Sequence, residues 1–299
     1  MKIAVIGTSG QLGFDLARTL PARGHVVAAF AGRAELDICD AAAFAAMLEQ
    51  HKPDAVINTA AYHNVDLCEK EADAAYRTNC LAVREMAKAC EARAITFVQI
   101  GTDYVVDANP LNDPALKPSP VPESASVYPK SIYALTRYGG DCMTLAHAPT
   151  HGYVVRSCGL FGVAGCKLKG GLNFVDTMIK AARDGKPLKV VSDQIVAPTP
   201  TDDLAAQLAV ILENKNKLAP GLYHAVSHGQ CSWFEFAKTS IELAKIPHTI
   251  EPVPSSVYAA PAKRPYYSVL DNAKLRAAGL DIMRDWRESL ARYINAKYS

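Results

Sequence analysis

The stretch Lys2-Ile3-Ala4-Val5-Ile6-Gly7-Thr8-Ser9-Gly10-Gln11-Leu12-Gly13 decides the fold. Its first half is a near-continuous apolar run rich in β-branched residues, the pattern of a strand covered on both faces. Its second half spaces Gly7, Gly10 and Gly13 at intervals of three, just where the helical apolar pattern of Leu12–Leu20 begins. Glycines so placed let the chain turn sharply out of a strand, approach a pyrophosphate without an intervening Cβ, and pack a helix closely on the sheet. The helix N-terminus then offers free N–H groups and the positive end of a dipole to the anion. A glycine triplet alone is weak evidence. Directly after an N-terminal strand and inside a strand–helix–strand pattern, it favours dinucleotide binding over a plain tight turn.

Working outward, the same alternation continues. Strand patterns at His25–Phe30, Ala55–Asn58, Thr96–Ile100 and Tyr153–Arg156 are separated by helical patterns at Ala41–Gln50, Ala72–Arg93 and Tyr133–His147. This predicts an α/β fold with a doubly wound parallel sheet of the Rossmann kind, with ligands at the C-terminal ends of the strands. After about Ser157 the pattern changes. Gly159 to Gly171 reads as a loop, and helices are expected at Asn173–Arg183, Asp202–Glu213, Trp233–Lys245 and Ile282–Ala296. Short strands are expected near Leu188–Val191 and Gly221–Ala225, with prolines as punctuation. The expected division is a dinucleotide-binding domain over 1–157 and, over 158–299, mainly a smaller mixed α/β substrate lobe, with some segments returning to the first domain.

Composition removes several other classes. The chain has 299 residues, 49% hydrophobic and 21% charged, which excludes wholesale disorder. A net charge of +2 offers no general attraction to nucleic acid or to a membrane surface. The longest apolar run, Ala41–Leu48, is too short to span a bilayer, and Ile3–Ile6 before Gly7 is not the core of a signal peptide. The 8 cysteines contain no C-x-x-C pair, as expected in a reducing compartment, so a cytoplasmic protein is expected. No metal site is expected: the pairs His224/His228 and His147/His151 read as structural, and Asp15 alone cannot define one.

Two segments carry candidate chemistry. Thr102-Asp103-Tyr104 follows the strand ending at Ile100, and Tyr133 and Arg137 stand four apart at the start of a helix, hence on one face. A cation beside a phenol lowers its pKa from about 10 and readies it for proton transfer. After the second strand the chain reads Phe30-Ala31-Gly32-Arg33 with no acid before Glu35. Arg33 therefore suits the 2′-phosphate of NADP(H), with NAD(H) still open and a solvated surface arginine as the plain alternative. Asp103 also reads as a turn former, and Tyr133 as an ordinary core residue. Lys167 and Lys169 read either as phosphate contacts from a loop or as solvated lysines. Asn79, inside a helical pattern, points to a buried polar task.

These residues resemble the extended short-chain dehydrogenase/reductases, and within them the dTDP-4-dehydrorhamnose reductase family. The resemblance runs through nearly the whole chain. It covers Gly10-Gln11-Leu12-Gly13, Leu36-Asp37-Ile38, Val56 to Tyr62 with Ala60 and Ala61, Val65-Asp66, Asn79, Thr102 to Val105, and Gly140-Asp141 after Tyr133. In the second half it covers Asn173-Phe174-Val175, Asp193-Gln194, Pro198-Thr199, Gly221 to His224, Ser232-Trp233, Arg264-Pro265 and Leu270-Asp271. It implies NADPH-dependent reduction of a nucleotide-linked 4-keto-6-deoxy sugar, and a homodimer. Tyr133 would donate the proton, Thr102 would hydrogen-bond the same oxygen, and Arg137 would stand where the family carries lysine. Asp103, Tyr104, Val65 and Asn173 would meet the substrate. Gly7, Gly10, Gln11, Leu12, Gly13, Arg33, Asp37, Ile38, Ala60, Ala61, Tyr62 and Asn79 would line the cofactor. Departures from the family pattern are Arg137 for lysine, Gly159 for a tryptophan that faces the substrate, and Gly101 for serine. Open alternatives are a non-catalytic NADP-binding subunit, similar to the regulatory subunit of methionine adenosyltransferase, and a nucleotide-sugar epimerase or dehydratase.

Overall fold

The computed structural model describes residues 1–165 and 170–298; Lys167 and Lys169 lie outside the described residues. The N-terminal half runs β1 (Lys2–Ile6), α1 (Gln11–Ala22), β2 (Val26–Phe30), α2 (Ala41–His51), β3 (Ala55–Asn58), α3 (Val65–Cys68) and α4 (Ala72–Tyr76). It continues with α5 (Ala82–Glu91), β4 (Thr96–Thr102), α6 (Ile132–His147) and β5 (Gly152–Ser157). The second half adds α7 (Phe174–Arg183), β6 (Leu188–Val191), β7 (Ile195–Val196), α8 (Thr201–Glu213), β8 (Gly221–His224) and β9 (Cys231–Ser232). It closes with α9 (Trp233–Leu243), β10 (Ile250–Val253), α10 (Ala273–Ala277) and α11 (Trp286–Tyr298).

The apolar strands form a 6-stranded sheet in the order β2-β1-β3-β4-β5-β8, with every pairing parallel. The chain leaves β1 toward β2 and then crosses back to β3, which opens a crevice above β1 and β3 where the order reverses. One face of the sheet is sealed by Leu16 and Leu20 of α1 with Leu204, Leu208 and Leu212 of α8. The other is sealed by Phe44 and Leu48 of α2 with Val83 and Met86 of α5. Each such side chain contributes about 1.5–3 kcal/mol by leaving water. The second half therefore completes the sheet, with β8 beside β5 and α8 against α1. It also builds a separate cluster around Phe161, Phe236, Trp286 and Leu290.

Two helical expectations differ from the structure. The Ala72–Arg93 pattern is split by a π-turn over Arg77–Leu81, between α4 and α5. The widened turn brings the Asn79 side chain to the backbone of Tyr62 and lets Gly140 of α6 sit directly on the Asn79 carbonyl. Such turns have no periodicity signal of their own. The helix expected from Ile282 begins at Trp286 instead. Residues 284–286 are held extended by His228, whose N–H donates to the Arg284 carbonyl and whose carbonyl accepts from Trp286. Asp285 then accepts from the Arg287 N–H at 2.8 Å.

Two predictions follow from these contacts. A Cβ at Gly13 would overlap the Gly7 carbonyl and lie 2.7 Å from the Thr8 Cα, both backbone and unable to yield. Gly13→Ala should cost about 1–3 kcal/mol by overpacking, seen as a lower midpoint in urea unfolding; an unchanged midpoint would contradict the close approach. His224 on β8 is fully buried, and burial, followed by the nearby Arg156, pushes its pKa down to about 3. Its neutral form favours folding fully above the unfolded pKa of about 6.5, and that contribution is lost as pH falls from there toward 3. Wild type should lose about 2 kcal/mol through this group between pH 7 and 5. His224→Gln should flatten that part of the pH dependence, whatever its stability at pH 7.

Candidate active site

Tyr133 is set by the way α6 begins. Ser131 caps the helix, its Oγ accepting from the Ala134 N–H at 3.2 Å, and the Ile132 N–H donates to Glu69 Oε1 at 2.8 Å. This double cap anchors the first turn to the segment after α3, and the half-buried Tyr133 then meets the C-terminal end of β4. Its phenol lies close to Thr102, and its ring meets Tyr104 edge-on with centroids 5.5 Å apart. Burial pushes the phenol pKa up and Arg137, then Thr102, pull it back, while Asp103 and Cys68 add to the rise.

Arg137 lies one turn further on, almost entirely buried, with Nη2 donating to the Ile100 carbonyl and Nε without a partner among the described residues. Thr102 Oγ1 donates to Asp103 Oδ1 at 3.2 Å and accepts from the Tyr104 N–H at 3.3 Å. The Asp103 carboxylate is turned inward, where Ser268 Oγ donates to it at 2.6 Å and Cys158 Sγ at 3.1 Å. Burial pushes its pKa up against those donors. Asp103 thus holds the Thr102 segment to the second half of the chain. Asn173 is likewise buried: it caps α7, and its Nδ2 donates to the Gly162 carbonyl and to the Tyr293 hydroxyl. Val65 opens α3 on the other side of the cleft, half-buried.

The glycine turn sits above β1. Gly7 and Thr8 donate their N–H groups to the Phe30 carbonyl, and Gly7 holds a left-handed φ of +87° with Thr59 Oγ1 2.6 Å from where a Cβ would be. No side chain caps α1 and no acid stands in its first turn, so its leading N–H groups are left for an anion. The Gln11 side chain is occupied across the cleft, accepting from the Gly162 N–H at 3.0 Å and donating to the Leu160 carbonyl. Leu12 and Ile38 are buried. Arg33 is exposed at the end of the second strand, 3.5 Å from Asp37 Oδ2. Glu35 folds back onto the Ala31 N–H at 2.7 Å. Past β3, the Ala60 N–H is held by Asn58 Oδ1 and leads through Ala61 to Tyr62, whose N–H and carbonyl are both bonded by the Asn79 amide. Asn79 Nδ2 also reaches Thr136 Oγ1 at 3.0 Å, joining the cofactor side of the crevice to the Tyr133 helix.

Several neighbours had no role in the sequence reading. Cys68 lies buried close enough to raise the Tyr133 pKa, and Glu69 caps its helix. Arg264 bridges Asp66 at 2.9 Å and lies near enough to Tyr104 to pull its pKa down against burial, so a residue far along the chain reaches the site. Cys68 and Glu69 belong to no matched motif; Asp66 and Arg264 do, but the motifs gave them no partner. The position without its tryptophan, Gly159, holds φ +51°, and the Trp233 ring tip stands 3.3 Å from where its Cβ would be.

A family model described as the RmlD substrate binding domain matches residues 1–299. The chain belongs to that family. A dTDP-4-dehydrorhamnose reductase from Streptomyces griseus is 37% identical over 96% of this chain and 90% of its own. The crystal structure of a dTDP-4-dehydrorhamnose reductase from Clostridium acetobutylicum superposes with a TM-score of 0.89 at 36% identity, covering 99% of both chains. The enzyme of that name from Bacillus anthracis, solved in complex with NADP, gives 0.89 at 30% identity over 99% of both. The RmlD-family chain described here retains the uncapped α1 terminus and the open backbone at Gly7 that a dinucleotide needs. Because the Asn79 amide makes three bonds and only the Tyr62 carbonyl keeps another donor, Cys68 Sγ, Asn79→Ala should cost about 2 kcal/mol by leaving the Tyr62 N–H without its acceptor. Chemical unfolding would measure it, and a loss near zero would show the bonds to be dispensable.

Proposed function

We propose that the protein reduces a nucleotide-linked 4-keto-6-deoxy sugar with NADPH. The observation that carries this is the Tyr133 phenol set close to Thr102 at the C-terminal end of β4, on the same edge of the parallel sheet as the glycine turn that follows β1. Bound NADPH would supply the hydride. Tyr133 donates the proton to the carbonyl oxygen as it becomes an alkoxide, and Thr102 hydrogen-bonds that oxygen and orients the phenol. Arg137 holds positive charge behind the phenol and favours its deprotonation as the proton leaves. Asp103 acts through Thr102 by locking it in place. Tyr104 and Val65 flank the sugar, and Asn173 shapes the loop on its far side.

For the cofactor, the Gly7–Gly13 turn and the first N–H groups of α1 receive the pyrophosphate, Ala60 to Tyr62 border the crevice, and Asp37 and Ile38 border the adenine. Arg33 takes the 2′-phosphate. Glu35, folded against the end of the second strand, keeps NADH within the proposal as a second donor. The relatives support the reductase reading, and the chain's lack of a membrane-crossing helix among the described residues agrees with a cytoplasmic site of action. A homodimer, drawn from the family likeness, belongs to the same proposal.

Absorbance of NADPH in the presence of dTDP-4-keto-6-deoxy sugars tests the activity directly. Tyr133→Phe should lower kcat by about 10²–10⁴-fold while NADPH affinity, read by its fluorescence, stays within a few-fold. Equal turnover by the variant would remove Tyr133 from the chemistry. Arg33→Ala should weaken NADPH by about tenfold, the size of one exposed charge-assisted contact, and leave NADH unaffected.

A further inference from the structure

We propose, building on the reductase reading, that Asp141 and Arg156 are positioning residues: a buried ion pair that fixes where the Arg137 guanidinium lies and how much positive charge Tyr133 feels. Tyr133, Arg137 and Asp141 follow one another at intervals of four along α6 and so share one face. Asp141 Oδ2 accepts from Arg156 Nε at 2.8 Å, with both side chains almost wholly buried. Arg156 stands on β5 directly opposite Gly101, the residue after the Ile100 carbonyl that receives Arg137. The segment Ile100–Gly101 is therefore held by Arg137 at the Ile100 carbonyl and closely approached by the Asp141–Arg156 pair at Gly101.

Gly101 makes the arrangement possible. A Cβ there would stand 2.7 Å from Arg156 Cγ and 3.1 Å from Asp141 Oδ1. Two polar atoms in this cluster, Arg137 Nε and Asp141 Oδ1, are buried without partners among the described residues. The cluster holds two guanidinium groups and one carboxylate, so a single net positive charge lies behind the phenol. An arginine keeps its proton throughout, unlike a lysine, so its placement and its neutralising partner are what remain to be adjusted. Removing water from such a charge is costly, so Asp141, which Arg156 and Arg137 both act on, helps set where it rests. Burial pushes Asp141 up, but Arg156 and Arg137 both pull it down. The groups facing Tyr133 are Arg137 on its own helix, Thr102, Asp103 and Tyr104 at the end of β4, and Cys68 on α3. Asp141 and Arg156 act on it from behind Arg137.

The pH profile of kcat for sugar reduction tests this. The reacting form is the protonated phenol, so the rate falls above its pKa. Asp141→Asn removes a negative charge, lowers that pKa and moves the falling limb to lower pH, by up to about one unit for charges two helical turns apart at an effective dielectric of about 20. Arg156→Gln moves it to higher pH, and Asp141→Glu returns it toward wild type. If both substitutions lower the melting temperature yet leave the limb in place, the pair is merely structural and the proposal is overturned. Absence of turnover in wild type itself would overturn the reductase reading instead. A crystal structure of Asp141→Asn then decides the positioning claim: Arg137 displaced from the Ile100 carbonyl upholds it, and Arg137 unmoved refutes it.

Discussion

Gly13 lies so close to the Gly7 carbonyl that no side chain fits between them, and the packing of the first helix follows from that approach. It sets how closely α1 lies on β1, and through Leu16 and Leu20 how α1 meets the sheet and α8. It also leaves the first turn of α1 uncapped above the crevice, so one backbone approach serves both packing and ligand binding. Side chains at either glycine would separate these roles by forcing the helix away from the strand.

From this point the site is assembled by bonds between segments distant in the chain. The Asn79 amide, delivered by a π-turn, ties the loop after β3 to Thr136 on the helix that carries Tyr133. The Gln11 side chain ties the glycine turn to Gly162, and Thr201 donates to Asp15 Oδ2 at 2.5 Å behind it. Asp103 ties the end of β4 to Ser268. The glycine turn, the Tyr133 helix and the second-half loop are thus held in one frame, the condition under which the proposed proton donor would meet a ketone at bonding distance.

The charges follow the same logic. Nearly every strongly buried ionisable group near the site has a partner across an element boundary: Arg156 with Asp141, Asp103 with Ser268 and Cys158, Lys130 with Asp107. A buried charge without such a partner would shift its pKa or unfold the region. The arginine at 137, where the likeness leads one to expect lysine, fits because β4 offers a carbonyl at Ile100 and space beside Gly101.

The sequence by itself determined the fold class, since apolar runs punctuated by helical patterns admit few arrangements other than a parallel sheet covered on both faces. It also located the glycine turn by its spacing, and placed Tyr133 and Arg137 on one face of α6 by the helical repeat. Tertiary structure alone decided the orientation and engagement of those side chains. Asp103 and Asn173 turn inward, Glu69 joins the site from outside any motif, Arg264 reaches it by pairing with Asp66, and the Ala72–Arg93 pattern widens at Asn79. The physical reason is that hydrogen bonds and ion pairs between distant segments obey no sequence period. Which polar groups must be paired is written locally, but the partner is chosen only when the elements pack.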